Sequence, residues 1–356
     1  MNSSRLSGIA ALGALALVLS GCAGDEQAAV GVDSLSIATL GPVTPSEQAF
    51  VDRMNELSEG SITLDVTENW AGSGDGPDEI ALTEAVAAGD VDIAWVTVRS
   101  LRAIGITGID ALEAPMMIQT HDQQRAVALG VPAELLMRKL RNSPVQALAM
   151  LPGPVLYPIT SGTPLLSAAD WAGATFQVGA AGGAEALTAE TLGATASEGD
   201  GGAADVVNGS VQAAAAAPGD LPAAGVAKDG PVMSASMALW PRMSMIIINR
   251  DVLDRLTSRQ NGFLQGSVVR AQDSAMAAGP DLEAQVAAAC EAGALFGIST
   301  QAEIDEMREL VSSVYSKLSE DKADAKLLTA IEEAVKRHAG TGALVIPKAC
   351  RWVAPK

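Results

Sequence analysis

Two histidines and three cysteines are all that a chain of 356 residues offers toward metal binding or nucleophilic catalysis. His121 lies in IQTHDQQ and His338 in VKRHAG, and neither has a cysteine or second histidine nearby. A zinc or iron–sulfur centre therefore has no donor set to rest on. No GxSxG, HExxH, phosphate-loop or CxxC pattern occurs. The glycines at 72, 74 and 76 lack GxGxxG spacing and a following lysine, so they read as a flexible turn. Glu84, Asp90 and Asp92 cluster near one helix–strand turn, where solvation is a more ordinary role than acid–base work. His121 reads as a local cap or hinge contact and His338 as a solvated helix end. The expectation is a chain that is not an enzyme, with no catalytic residue, metal or cofactor.

Polar and aromatic residues at the ends of apolar runs are more informative. Trp95 and Arg99 follow a buried run in IAWVTVRS, Gln177 sits in GATFQVG and Asn208 in DVVNGSVQ. Trp240, Arg242 and Asn249 share the segment LWPRMSMIIIN, and Trp70 opens the glycine-rich turn. Open α/β sheets place ligands at strand ends, and a buried arginine calls for an anionic partner, from the protein or from a ligand. Taken singly, each residue is as well explained by packing. As a group they form the candidate ligand-binding set: Trp70, Trp95, Arg99, Gln177, Asn208, Trp240, Arg242 and Asn249.

Positioning such a set requires a frame, which the rest of the chain supplies. Lys and Arg total 23 against 42 Asp and Glu, a net charge of −19, which argues against nucleic acid and against a polybasic membrane contact. With 48% hydrophobic and 18% charged residues the chain is neither disordered nor short of core, and its length favours two lobes. The apolar run 9–19 is too short for a lasting membrane span. It ends in Leu19-Ser20-Gly21-Cys22, which resembles the bacterial lipoprotein signal, in which Cys22 receives lipid and begins the mature chain. The alternative is an ordinary secretory peptide cut near the same place. Outside the cytoplasm Cys290 and Cys350 can pair, pinning the tail at 344–352 against the end of a preceding helix; the alternative is two separately buried thiols. Strand and helix patterns alternate over 34–96, as expected of a largely parallel sheet. Short strands and helices return over 167–217, residues 232–248 are strand-rich, and the chain then turns helical, with one long helix expected around 261–290.

The order and spacing of several segments resemble the substrate-binding proteins of tripartite ATP-independent periplasmic (TRAP) transporters. They are EAVAAGDVDIA at 84–94, ALEAPMM at 111–117, LSAADWAGATFQVG at 166–179, DVVNGSVQ at 205–212 and the stretch 245–256. The resemblance implies a two-lobed α/β periplasmic solute-binding protein fold with an interlobe cleft and C-terminal helices. The expected division is a signal peptide at 1–21 and a tether at 22–33, then a first lobe at 34–150 and a second at 151–235. A return to the first lobe with the long helix follows at 236–290, and C-terminal helices and tail at 291–356. It also implies binding of a small organic solute and delivery to TRAP permease subunits, at the outer face of a membrane reached through lipid on Cys22. The alternatives are a receptor for a sensor kinase or another transporter, and a structural envelope lipoprotein. In the family an arginine on a second-lobe strand holds the ligand carboxylate, and Gln177 stands at that position. An amide lacks the charge and fork of a guanidinium, so a simple dicarboxylate is not the expected ligand, and Arg99, Arg102 or Arg242 could take over the role.

Overall fold

The computed structural model describes residues 31–72, 78–179, 183–199, 201–226, 230–277 and 279–354. Cys22, the signal segment, and Gly74 and Gly76 of the glycine-rich turn lie outside them.

The chain opens with strand β1 (Ser34–Ala38), helix α1 (Pro45–Ser58), β2 (Thr63–Thr67), α2 (Glu79–Ala88) and β3 (Ile93–Thr97). Each boundary has a local cause. Thr44 and Glu47 form a capping box ahead of α1, with Pro45 in its first turn. Asp78 caps α2, which stops at Gly89 in the left-handed region, φ 85°. Two 3₁₀ segments, Val98–Ile104 and Asp110–Glu113, lead to α3 (His121–Ala128), α4 (Val131–Lys139) and β4 (Val145–Leu151).

Then come β5 (Val155–Thr160), α5 (Ala168–Trp171), β6 (Thr175–Val178), α6 (Gly183–Thr191), β7 (Thr195–Glu198), α7 (Ala203–Asn208), β8 (Ala213–Ala216), β9 (Val232–Ser234) and β10 (Trp240–Pro241). The chain closes with β11 (Ser244–Asn249), α8 (Arg250–Arg255), α9 (Ser258–Ala277), α10 (Leu282–Ala292), β12 (Leu295–Gly297), α11 (Gln301–Leu318) and α12 (Lys322–Val335).

Two sheets result. The first has the order β2-β1-β3-β11-β4 and the second β12-β9-β5-β8-β6-β7, with β10 pairing to β5. In the first, β1, β2 and β3 are parallel while β11 runs antiparallel between β3 and β4, with Ile246 opposite Trp95. Helices cover both faces, so β3 reads IAWVT and is buried through its first four residues.

The chain passes between the sheets at Pro152-Gly153-Pro154 and again at Arg242-Met243. The two crossings lie side by side: the Arg242 N–H donates to the Pro154 carbonyl at 2.8 Å and the Val98 N–H to the Met243 carbonyl at 2.9 Å. A Cβ on Gly153 would fall 1.7 Å from the Arg242 carbonyl oxygen, so this approach requires glycine.

The long helix expected around 261–290 is two helices. Pro280 cannot continue α9, which ends at Ala277, and α10 begins at Leu282. Only α9 returns to the first lobe, where it packs on α1. α10 instead joins the core of the second sheet, with Val286 and Ala289 beside Tyr157 and Met233. α11 packs on α6 and α12 on α3 and α4, so the C-terminal helices brace both halves. A disulfide between Cys290 and Cys350, Cα atoms 5.7 Å apart, ties the tail to the last turn of α10. No helix among the described residues is long and apolar enough to cross a membrane.

Candidate functional site

The carboxyl ends of β1 and β3 and the two crossings border an open cavity of about 480 Å³. Glu79, Trp95, Thr97, His121, Arg242 and Ser244 line it, and Gln285 reaches it from α10. The volume suits a small organic molecule.

Its walls are held by identifiable contacts. Trp95 stands on β3 with its ring edge-on to Phe50 of α1, centroids 5.2 Å apart and planes at 87°. Glu79, in the first turn of α2, accepts from the Thr97 N–H at 2.5 Å and its hydroxyl at 2.8 Å. His121, at the start of α3, places Nε2 3.2 Å from the Met276 carbonyl. Two donors stand out: the Trp95 indole N–H and the Arg242 Nε are buried and have no hydrogen-bond acceptor among the described residues. A buried donor left unpaired costs about 1–3 kcal/mol; both belong to side chains that line the cavity.

A charged seam adjoins the cavity and joins the lobes. Arg99 lies 3.9 Å from Glu79 Oε2 and 3.6 Å from Glu185 Oε1 of α6. Arg102 pairs with Asp110 and reaches Glu113 Oε2 at 3.2 Å. Second-lobe glycines make room for these groups: a Cβ would sit 2.3 Å from Arg99 Nη1 at Gly179 and 2.3 Å from Asp110 Oδ2 at Gly183. The Gly179 N–H in turn donates to Glu185 Oε2 at 2.8 Å. The space left here is about 10 Å³, room for one water and no solute. Burial, then the neighbouring Glu185 charge, push Glu113 up to about 7, against the downward pull of Arg102 and Arg99.

The expected site residues divide. Trp95 and Arg242 line the large cavity; Arg99, Trp240 and again Arg242 line the small one. Trp70 is half-buried, beside the glycine-rich turn and against the backbone of Gly72. Gln177 lines neither cavity: its amide donates to Asp205 Oδ2 at 2.7 Å and accepts from the Gly202 N–H at 2.8 Å. That side chain is spent on joining β6 to the start of α7. Asn208 is exposed at the end of α7, where its Oδ1 accepts from the Ser210 N–H at 2.8 Å. Asn249 is at the opposite end of β11 from the cavity residue Ser244; it caps α8 through the Val252 N–H and donates to the Val86 carbonyl. Both asparagines are typical residues for such turns and caps.

Glu79, Asp110, Glu113 and Glu185 escape the sequence reading, because they are scattered over three elements and carry no motif. A weak signal was present in Gly179 and Gly183, which bracket a strand-to-helix turn just ahead of Glu185.

Two α/β lobes joined by paired crossings, with a cavity at the crossings, define the fold of a periplasmic binding protein. Among solved structures, that fold is shared with TRAP periplasmic solute-binding proteins. One from Chromohalobacter salexigens with bound D-glucuronate superposes with a TM-score of 0.72 at 15% identity, covering 84% of this chain and 99% of that one. Another from Ralstonia eutropha, with bound (S)-2-acetolactate, gives 0.71 at 17% identity over 86% and 99%. A third from Sulfurospirillum deleyianum, with bound succinate, gives 0.71 at 13% identity over 85% and 99%. No protein-family model and no curated protein matches the chain.

Proposed function

We propose that this chain is an extracytoplasmic receptor that closes its lobes on a small organic solute and delivers it to a TRAP-type permease. The observation that carries the proposal is the cavity of about 480 Å³ at the crossings, set in a fold shared with proteins solved with sugar-acid, oxo-acid and dicarboxylate ligands. Binding is the role supported: the described polar groups around the cavity are donors and acceptors suited to holding a solute. Lipid on Cys22 would hold the receptor at the outer face of the membrane, with residues 22–33 as the tether.

Thermal melting against a library of organic acids, amino acids, sugars and aromatic acids tests the receptor role. A solute at a hundredfold its Kd stabilises the folded chain by about 2.7 kcal/mol, so the expected result is a clear rise in Tm for one chemical class. A flat profile across the library would refute it. Anchoring is tested separately: Cys22→Ser should abolish acyl labelling and release the chain from membranes, whereas an unlabelled wild-type chain would refute it.

A further inference from the structure

The charges around the hinge cavity are unequal. Glu47 and Glu79 supply two carboxylates and Arg242 the single guanidinium among its lining residues. Glu47 is committed to the capping box of α1. Glu79 is held by Thr97, and the nearest cation to it, Arg99, is shared with Glu185. Arg242 has no ion pair or side-chain hydrogen bond among the described residues, and its buried Nε lacks an acceptor. The Trp95 indole N–H, on a residue 8% exposed, lacks one too.

Resting on the receptor role, we infer that the cavity takes a small zwitterion, a molecule with one carboxylate and one protonated amine. The carboxylate seats on the guanidinium of Arg242, a half-buried side chain on the cavity wall that no carboxylate among the described residues pairs with, and lies beside the Trp95 ring. The amine faces Glu79, and the body of the molecule lies on Leu40, Leu151 and the crossing prolines. A dicarboxylate would bring a second negative charge against Glu79 and Glu47, a juxtaposition that discriminates strongly. A hydroxy acid would leave the carboxylates of the wall uncompensated, in a chain whose net charge of −19 already opposes anions. The anion seat is thereby placed on the return crossing, and the tied amide of Gln177 takes no part in it.

Calorimetry on the full chain in detergent tests this with matched solutes: α-, β- and γ-amino acids, their hydroxy-acid counterparts, C4-dicarboxylates and D-glucuronate. The tightest ligand is expected to be a zwitterion, with its hydroxy counterpart at least about tenfold weaker. Arg242→Gln should weaken that zwitterion about 30-fold or more, as expected for removing one partner of a buried charge pair. Glu79→Gln should narrow the gap between amine and hydroxyl ligands while its melting curve shows a folded chain. If the tightest ligand lacks an amine, or if Glu79→Gln leaves the gap unchanged, the zwitterion assignment is overturned and the receptor role stands. If no solute of any class binds the folded wild-type chain, both are overturned.

Discussion

Glu113 makes a quantitative test of the charged seam. Its carboxyl is buried against Glu185, with Arg102 at 3.2 Å and Asp110, Arg99 and Glu79 completing the cluster. Its pKa rises from the ordinary 4.5 to about 7. Between those values the folded chain binds a proton that the unfolded chain has released. Stability from this group is therefore full below pH 4.5 and is lost as pH rises through 7. At 1.36 kcal/mol for each unit between folded and unfolded pKa, the loss is about 3 kcal/mol at most. Glu113→Gln keeps a hydrogen-bond acceptor toward Arg102 but cannot titrate. Urea-unfolding midpoints measured from pH 5 to pH 8.5 should fall with pH in the wild type and fall less in Glu113→Gln. By pH 8 the variant should have gained up to about 3 kcal/mol on the wild type, relative to their difference at pH 5. Parallel profiles for the two chains would refute the assignment of Glu113 as a buried, near-neutral acid.

Other consequences concern the crossings, the second lobe and the tail. Gly153→Ala should cost about 3 kcal/mol by driving a methyl into the Arg242 carbonyl, while Gly162→Ala, with nothing within 4 Å of the added Cβ, should leave Tm nearly unchanged; equal effects would refute the close crossing. Gln177→Leu strips the partners from Asp205 and the Gly202 N–H and should cost about 1–3 kcal/mol, with no loss of solute affinity if Gln177 is structural only. For the disulfide, intact mass after alkylation without reduction should show neither Cys290 nor Cys350 modified. Reduction of that 60-residue separation should lower stability by up to about 4 kcal/mol on the chain-entropy argument.

The first lobe was legible because its signals are local. Thr44-Pro45 opens a helix, Gly89 closes one, and the apolar run at 91–96 reads as a buried strand, which the structure places at Ile93–Thr97. In the alanine-rich stretch Gly209, at φ 78°, stops α7 before the strand at 213–216. The break between α9 and α10 is written in Gly279-Pro280, but apolar spacing continues on either side and hides the change of lobe. Trp95 and Arg242 could be picked out as strand-end residues. Their lack of acceptors could not, because that depends on what the crossings and α10 place nearby. Gln177 shows the converse: its position in the strand pattern is evident, whereas its partner Asp205 is in helix α7 and becomes a neighbour through the β6–β8 pairing. The seam of Glu79, Glu113 and Glu185 is tertiary throughout.

A crystal structure of the chain with whichever solute raises its Tm most tests the central claim directly. The expected result is one molecule in the cavity at the crossings, its acceptor within hydrogen-bond distance of the Arg242 guanidinium and its body against the Trp95 ring. Solute held instead on β6 against Gln177, with the hinge cavity empty, would contradict it.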